Sequence, residues 1–233
     1  MLQGRRGVIP NTVNACSLNR AHYSRPVTVT RGEQKERTRR AILDAALELS
    51  QDGGLSALSL RQVAKAVGIV PTAFYRHFES LDELGLALVE ESFESLRTML
   101  RDVRQGSTVP REIIRRSVDV LISHVPENRG HFAFIARERF AGPKPVRDAV
   151  RHQLDLVERE LATDLAFITG RRWSGEDLNI LANLMVTAMV STAEDLVSAE
   201  HDSTREEIRI RAERQLRMVV VGALQWRSDH RDA

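Results

Sequence analysis

The chain has 233 residues, 42% hydrophobic, 28% charged and 5% aromatic, enough for a packed, soluble core in one large domain or two smaller ones. Its single cysteine, Cys16, excludes an intrachain disulfide framework or a cysteine-based metal site. The longest apolar run, near Met218–Trp226, is too short to span a bilayer, and no apolar signal core opens the chain, so the reading is a reduced cytoplasm and no membrane insertion.

The net charge of +2 conceals a split. Residues 1–78 hold twelve Lys and Arg against five Asp and Glu, a surplus of seven, while residues 79–233 carry a deficit of five. A basic front and an acidic rear point to a polyanion partner at the front, or to a solvated basic tail. Residues 1–30, with Gly4, Gly7, Pro10, Pro26 and scattered arginines, show no period and read as a mobile basic tail. Arg5, Arg6, Arg20 and Arg25 suit such an arm to phosphates or a minor groove.

From Gln34 the pattern is helical. Ile42, Ala45, Ala46 and Leu49 fall on one face, and Gly53-Gly54 ends the segment. Ser59-Leu60-Arg61-Gln62 reads as a capping box opening a short helix with Leu60, Val63, Ala64 and Val67 inward. Gly68 breaks it, and Pro71 fits the first position of a third helix carrying Ala73, Phe74 and Phe78. Ser80-Leu81-Asp82-Glu83 is a second capping box, before a long helix with Val89, Phe93, Leu96, Leu100 and Val103 on one stripe. Further helices are predicted after Pro110, over about 127–140, from about Pro145, from near Ser174 to Val197, and over about 204–227. No strand alternation of useful length appears, so the fold class is all-α.

Residues 58–84 carry the clearest chemistry. Two short helices meet at Gly68, where a tight turn needs freedom from Cβ strain. Phe74 and Phe78, four apart, are buried in this reading. Thr72, Ala73, Tyr75, Arg76 and His77 are left facing outward on a helix suited to the major groove. Thr, Tyr, Arg and His can all donate to phosphate oxygens. Arg39 and Arg40, with Arg37, lie beside this head as candidates for phosphate contact or as a solvated helix start.

The block from Ser59 through Ile69, then Phe74-Tyr75-Arg76-His77-Phe78, then Ser80 and Glu83-Leu84, resembles the TetR family of repressors. The resemblance implies a TetR-like architecture: an N-terminal three-helix helix-turn-helix module at 31–80, followed by a helical ligand-binding and dimerisation domain at 81–233. It also implies a homodimer on a pseudo-palindromic double-stranded DNA operator, a hydrophobic small-molecule effector, no cofactor and no catalysis. Thr72, Tyr75 and His77 take the family's DNA-contact positions; Ser59, Arg61, Ala73 and Arg76 complete the candidate set. One position departs from the family: Leu81 stands where a lysine often follows the serine of the fourth helix, removing a common phosphate contact. Blocks scattered over the whole chain, among them Pro71–Phe78, Asp82-Glu83-Leu84-Gly85-Leu86, Arg137-Glu138-Arg139 and Gln215-Leu216-Arg217-Met218, look like the FabR/DesT-type repressors of unsaturated fatty-acid synthesis. That likeness implies a long-chain acyl-CoA or acyl-carrier-protein thioester as effector.

The candidate ligand-binding residues are Phe93, Leu96, Leu100, Phe132, Phe134, Ile135, Met185 and Met189, each by itself also simple core, with Arg137 and Arg139 for the phosphates of a carrier. Arg137 and Arg139, like Arg147, are equally readable as ion pairs with acids such as Glu138 and Asp148. His124 and His131 lack the spacing of a helical metal pair, and no nucleophile elbow or phosphate loop is present. The last two helices, with small residues Ala182, Ala188, Ser191, Ala193, Gly222 and Ala223, are the expected dimer interface. Three functions stay open: an acyl-thioester-responsive repressor of fatty-acid desaturation or unsaturated fatty-acid synthesis, a TetR-type repressor of another apolar ligand such as a drug or metabolite, and a helical enzyme or ligand carrier with a basic tail.

Overall fold

The computed structural model describes residues 30–104, 110–169 and 173–228; the expectations for the basic tail lie outside these residues. Among the described residues the chain is helical throughout, with no strand. The elements are α1 (Arg31–Gly53), α2 (Leu60–Val67), α3 (Pro71–Phe74), α4 (Leu81–Arg104), α5 (Pro110–Glu127), α6 (Arg129–Ala141), α7 (Lys144–Thr169), α8 (Gly175–Ser198) and α9 (Asp202–Gln225). A 3-10 turn, Leu55–Ala57, joins α1 to α2.

Local chemistry sets the boundaries. Thr30 caps α1 reciprocally with Glu33, and Ser59 caps α2 reciprocally with Gln62. Gly54 and Gly68 end α1 and α2 at φ 74°, a backbone state that glycine enters without Cβ strain. Pro71 opens α3, whose regular part is one turn, and its main-chain bonds continue to Phe78. Only half of the second capping box forms. Ser80 Oγ accepts from the Glu83 amide, while the Glu83 carboxylate reaches the Glu79 amide instead. Leu81 packs against the first core cluster, so the position without the family's lysine has an apolar use.

The core is divided. Ile42, Val63, Phe74, Phe78, Leu84 and Leu88 form one cluster with Phe93, Phe134, Ile135, Val146 and Val150. The module of α1–α3 is therefore completed by side chains from α4, α6 and α7. A second cluster joins Met99, Leu121, Val125 and Phe132 to Leu196 and Ile208, and a third sets Ile114 and Val118 against Ala212 and Leu216. Helix α4 runs from the first cluster into the second, with Leu96 touching both.

A close approach fixes the seat of α4. A Cβ at Gly85 would stand 2.3 Å from Leu55 Cδ2 and 2.8 Å from Val146 Cγ2. Gly85→Ala is expected to destabilise the protein by about 1–3 kcal/mol through overpacking. Thermal melting checks this, and an unchanged midpoint would show that Leu55 gives way freely.

Candidate DNA interface and effector cavity

Helices α2 and α3 present the reading head. Phe74 and Phe78 are buried, with ring centroids 5.8 Å apart, and they anchor the head from below. Tyr75 is 59% exposed, its ring set edge-on to Phe74 at 6.0 Å. A tyrosine so exposed, beside exposed Thr72 and Arg76, forms a polar, hydrogen-bonding surface. Ala73 and His77 are half-buried at its edge, and Arg61 is exposed at the start of α2. Val70, 64% exposed, belongs to the same surface; sequence reasoning passed over it because an apolar turn residue reads as core.

Burial, followed by the positive field of Lys35, Arg39 and Arg76, holds the His77 imidazole below the ordinary histidine value. The ring is therefore neutral near pH 7. The candidate cations differ in how far they are engaged within the chain. Arg39 donates to the His77 carbonyl at 2.9 Å and lies over the Phe78 ring at 4.2 Å, tying α1 to the reading head. Arg40 pairs with Asp44 at 3.1 Å and Glu91 at 2.8 Å. Ser59 Oγ is engaged in the α2 cap. These three side chains have protein partners to give up before meeting a phosphate, whereas Arg61 and Arg76 stand in the open.

Between α4, α5, α6, α7 and α8, with Leu216 of α9, lies an apolar cavity of about 460 Å³. Leu96, Leu100, Phe132, Ile135, Met185 and Met189 line it, as do Leu154, Val157 and Leu161 of α7. Its polar lining is Ser117, Asp164 and Glu194, none of which the sequence singled out. Two aromatic candidates lie elsewhere. Phe93 and Phe134 sit in the first cluster against the DNA-binding module: Phe93 shares the stripe of Leu96 and Leu100 but lies a turn nearer that module, and Phe134 occupies the face of α6 turned away from the cavity. The two arginines are also not free for a carrier: Arg137 donates to the Ser50 carbonyl at 3.3 Å, and Arg139 pairs with Glu194 at 2.6 Å. Arg147 donates to the Gly142 carbonyl.

Ser92, His131 and Glu91 have the composition of a nucleophile, base and acid. Ser92 Oγ lies 3.0 Å from His131 Nδ1, and Glu91 lies 3.7 Å from Nε2. Ser92 is 1% exposed and does not line the cavity, so the trio acts as a cross-link of α4 to α6. Desolvation holds His131 below the ordinary histidine value despite Glu91. The unfolded chain then binds the proton more readily, so this histidine's contribution to stability is present above the unfolded pKa of about 6.5 and lost as pH falls below it. The melting temperature is expected to fall from pH 7 to 5.5, with a shallower slope in His131→Gln; equal slopes in the two proteins would refute this.

Helices α8 and α9 carry a second apolar surface. Ile180 and Leu184 on α8, and Met218, Val221 and Leu224 on α9, are each more than half exposed. Of the small residues predicted here, Ser191 and Gly222 are exposed, but Ala182 and Ala193 are buried within the chain, and Ala193 faces the cavity. Helix α8 is long and apolar enough to cross a bilayer by composition, and its two apolar faces account for that.

Solved structures share this fold. A TetR-like regulator from Rhodococcus sp. RHA1 matches at 20% identity and TM-score 0.64, over 79% of this chain and 96% of that one. GusR of Salmonella enterica matches at 23% and 0.60, over 81% and 98%. FadR from Bacillus subtilis, in complex with stearoyl-CoA, matches at 16% and 0.60, over 78% and 98%. The model of bacterial regulatory proteins of the TetR family matches residues 42–88, and that of the tetracyclin repressor-like C-terminal domain matches 110–222. With the reading head and the helical C-terminal part both matched, the chain belongs to the TetR family of transcriptional regulators.

Proposed function

We propose that the protein is a homodimeric repressor, without catalytic activity, whose hold on a pseudo-palindromic operator is set by a long-chain acyl thioester, and that it controls fatty-acid desaturation or unsaturated fatty-acid synthesis. The observation that carries this reading is the apolar cavity of about 460 Å³ between the helices that follow the reading head. An acyl chain gains about 0.8 kcal/mol for each buried methylene, so such walls supply most of the affinity. The scattered blocks of FabR/DesT type add support, and so does a shared fold with a FadR that holds stearoyl-CoA.

The switch follows from the path of α4. It leaves the reading head at Leu81 and lines the cavity with Leu96, Met99 and Leu100. A cis double bond bends the chain, so saturated and unsaturated ligands ask for different packing around Phe132 and Met189. Only a difference in affinity for two arrangements of the heads changes DNA binding. The exposed face of α8 and α9 supplies the dimer contact, since one reading helix spans too few base pairs alone.

One observation favours a second reading, in which the effector is another apolar molecule. The charged residues lining the cavity are the acids Asp164 and Glu194, and Arg137 and Arg139 are engaged elsewhere. Mass spectrometry of co-purifying lipid, with titration of stearoyl-CoA and oleoyl-CoA into the protein–operator complex, decides between them. The acyl-thioester reading expects a bound acyl species and unequal responses. Equal responses, or none with a different molecule in the cavity, support the second reading.

A further inference from the structure

Glu138 is 1% exposed, deep in the junction between α6 and the DNA-binding module. Its Oε1 accepts the Leu55 amide at 2.9 Å, from the 3-10 turn between α1 and α2. Its Oε2 is buried without a partner. Two glycines make room for the carboxylate: a Cβ at Gly54 would stand 2.9 Å from Oε1, and one at Gly142 would stand 2.5 Å from Oε2. A half-satisfied buried carboxylate is costly, so this contact has a narrow range of acceptable geometry.

The same short helix faces the cavity. Phe132, Ile135 and Ala136 lie on its cavity wall, and Arg139, on that stripe, pairs with Glu194 of the opposite wall. Phe134, Arg137 and Glu138 lie on the opposite face of α6. They touch the first core cluster, the Ser50 carbonyl at the end of α1, and Leu55. A roll of α6 by part of a turn therefore couples the shape of the cavity to the seat of the reading head.

We infer that Glu138 is a positioning residue for effector response: its carboxylate latches the α1–α2 turn to α6, and occupation of the cavity acts on the reading head by making or breaking this latch. The inference rests on the cavity being the effector site, but not on the effector being an acyl thioester. Coupling needs an element with two arrangements that both sites bias. Helix α6 touches both sites, and its Glu138, with one bonded and one unpartnered oxygen, is placed to supply that second arrangement.

The test uses the full chain and measures operator Kd by fluorescence anisotropy. Glu138→Gln keeps an acceptor for Leu55, and Glu138→Leu keeps the volume without it; Glu138→Ala replaces the latter if it does not fold. The cavity is filled in two ways: by oleoyl-CoA, with binding followed by calorimetry, and by Ala136→Phe, which needs no ligand. Ala136→Phe is expected to change operator Kd at least fivefold in the wild-type and Glu138→Gln backgrounds, and less than twofold in Glu138→Leu. Oleoyl-CoA is expected to bind Glu138→Leu as it binds wild type, yet leave its operator Kd unmoved. Equal effects of Ala136→Phe in all three backgrounds, including no effect in any, would overturn the latch. If oleoyl-CoA fails to act on wild type while the Ala136→Phe pattern holds, the acyl-thioester reading falls and the latch stands.

Discussion

Tyr75→Phe combined with His77→Ala is expected to weaken operator binding roughly 100-fold or more, since hydrogen bonds to charged phosphates contribute about 1.5–3 kcal/mol each and each 1.4 kcal/mol is tenfold. The loss should occur with the fold intact. Phenylalanine preserves the edge-on packing of Tyr75 against Phe74, and the His77 carbonyl that holds Arg39 is main chain. Because His77 is neutral near pH 7, neither substitution removes a cation, and the dependence on salt should barely change. Arg76→Ala should behave differently, reducing the salt slope by about 1 per head, since a lost cationic contact releases fewer counterions. Substitutions at Thr72 or Ala73 should alter which sequences are preferred. A gel shift in which the double variant binds as wild type would show that the head is misassigned.

The second large effect is expected at the far end of the molecule. Leu184→Asp together with Leu224→Asp should yield a monomer in sedimentation, with operator affinity lowered by roughly 10²–10⁴, the factor typical of losing a linked second binding head. Leu184 and Leu224 are 51% and 75% exposed, so the change costs the isolated chain little. Met185, Val186 and Met189 on the same helix face the cavity, so effector binding should survive. A dimer that persists would place the subunit interface on another surface.

The helices and their ends were legible wherever one residue type has one physical use. The Ser59–Gln62 cap, Gly54 and Gly68 at positive φ, and Pro71 at a helix start all follow from local chemistry, and all occur. Faces were harder. Phe93, Leu96 and Leu100 form one stripe in sequence, yet α4 passes between two cores, leaving Phe93 in the first and Leu100 at the cavity. Phe132 and Phe134 are two residues apart on α6 and so lie on different sides. Periodicity states which residues share a face but not which neighbour that face meets. Cations were hardest: Arg39, Arg40 and Arg139 look like free charges until their partners, His77, Glu91 and Glu194, are brought from distant elements. Glu138 looked like a surface ion pair, because nothing local marks a carboxylate for burial.

The divided core also bears on how the chain is made. The first cluster needs Val146 and Val150 as well as Ile42, Phe74 and Phe78. At ribosomal speeds of 5–20 residues per second, the reading head must wait about 4–14 s after its own last residue is joined before its core is complete. During that interval the nascent chain carries Tyr75 and its neighbours on an unfinished support. A chain cut short before α7 would lack Val146 and Val150 from the core under the reading head, so it is expected to hold DNA more weakly than a copy whose sensor half has been synthesised.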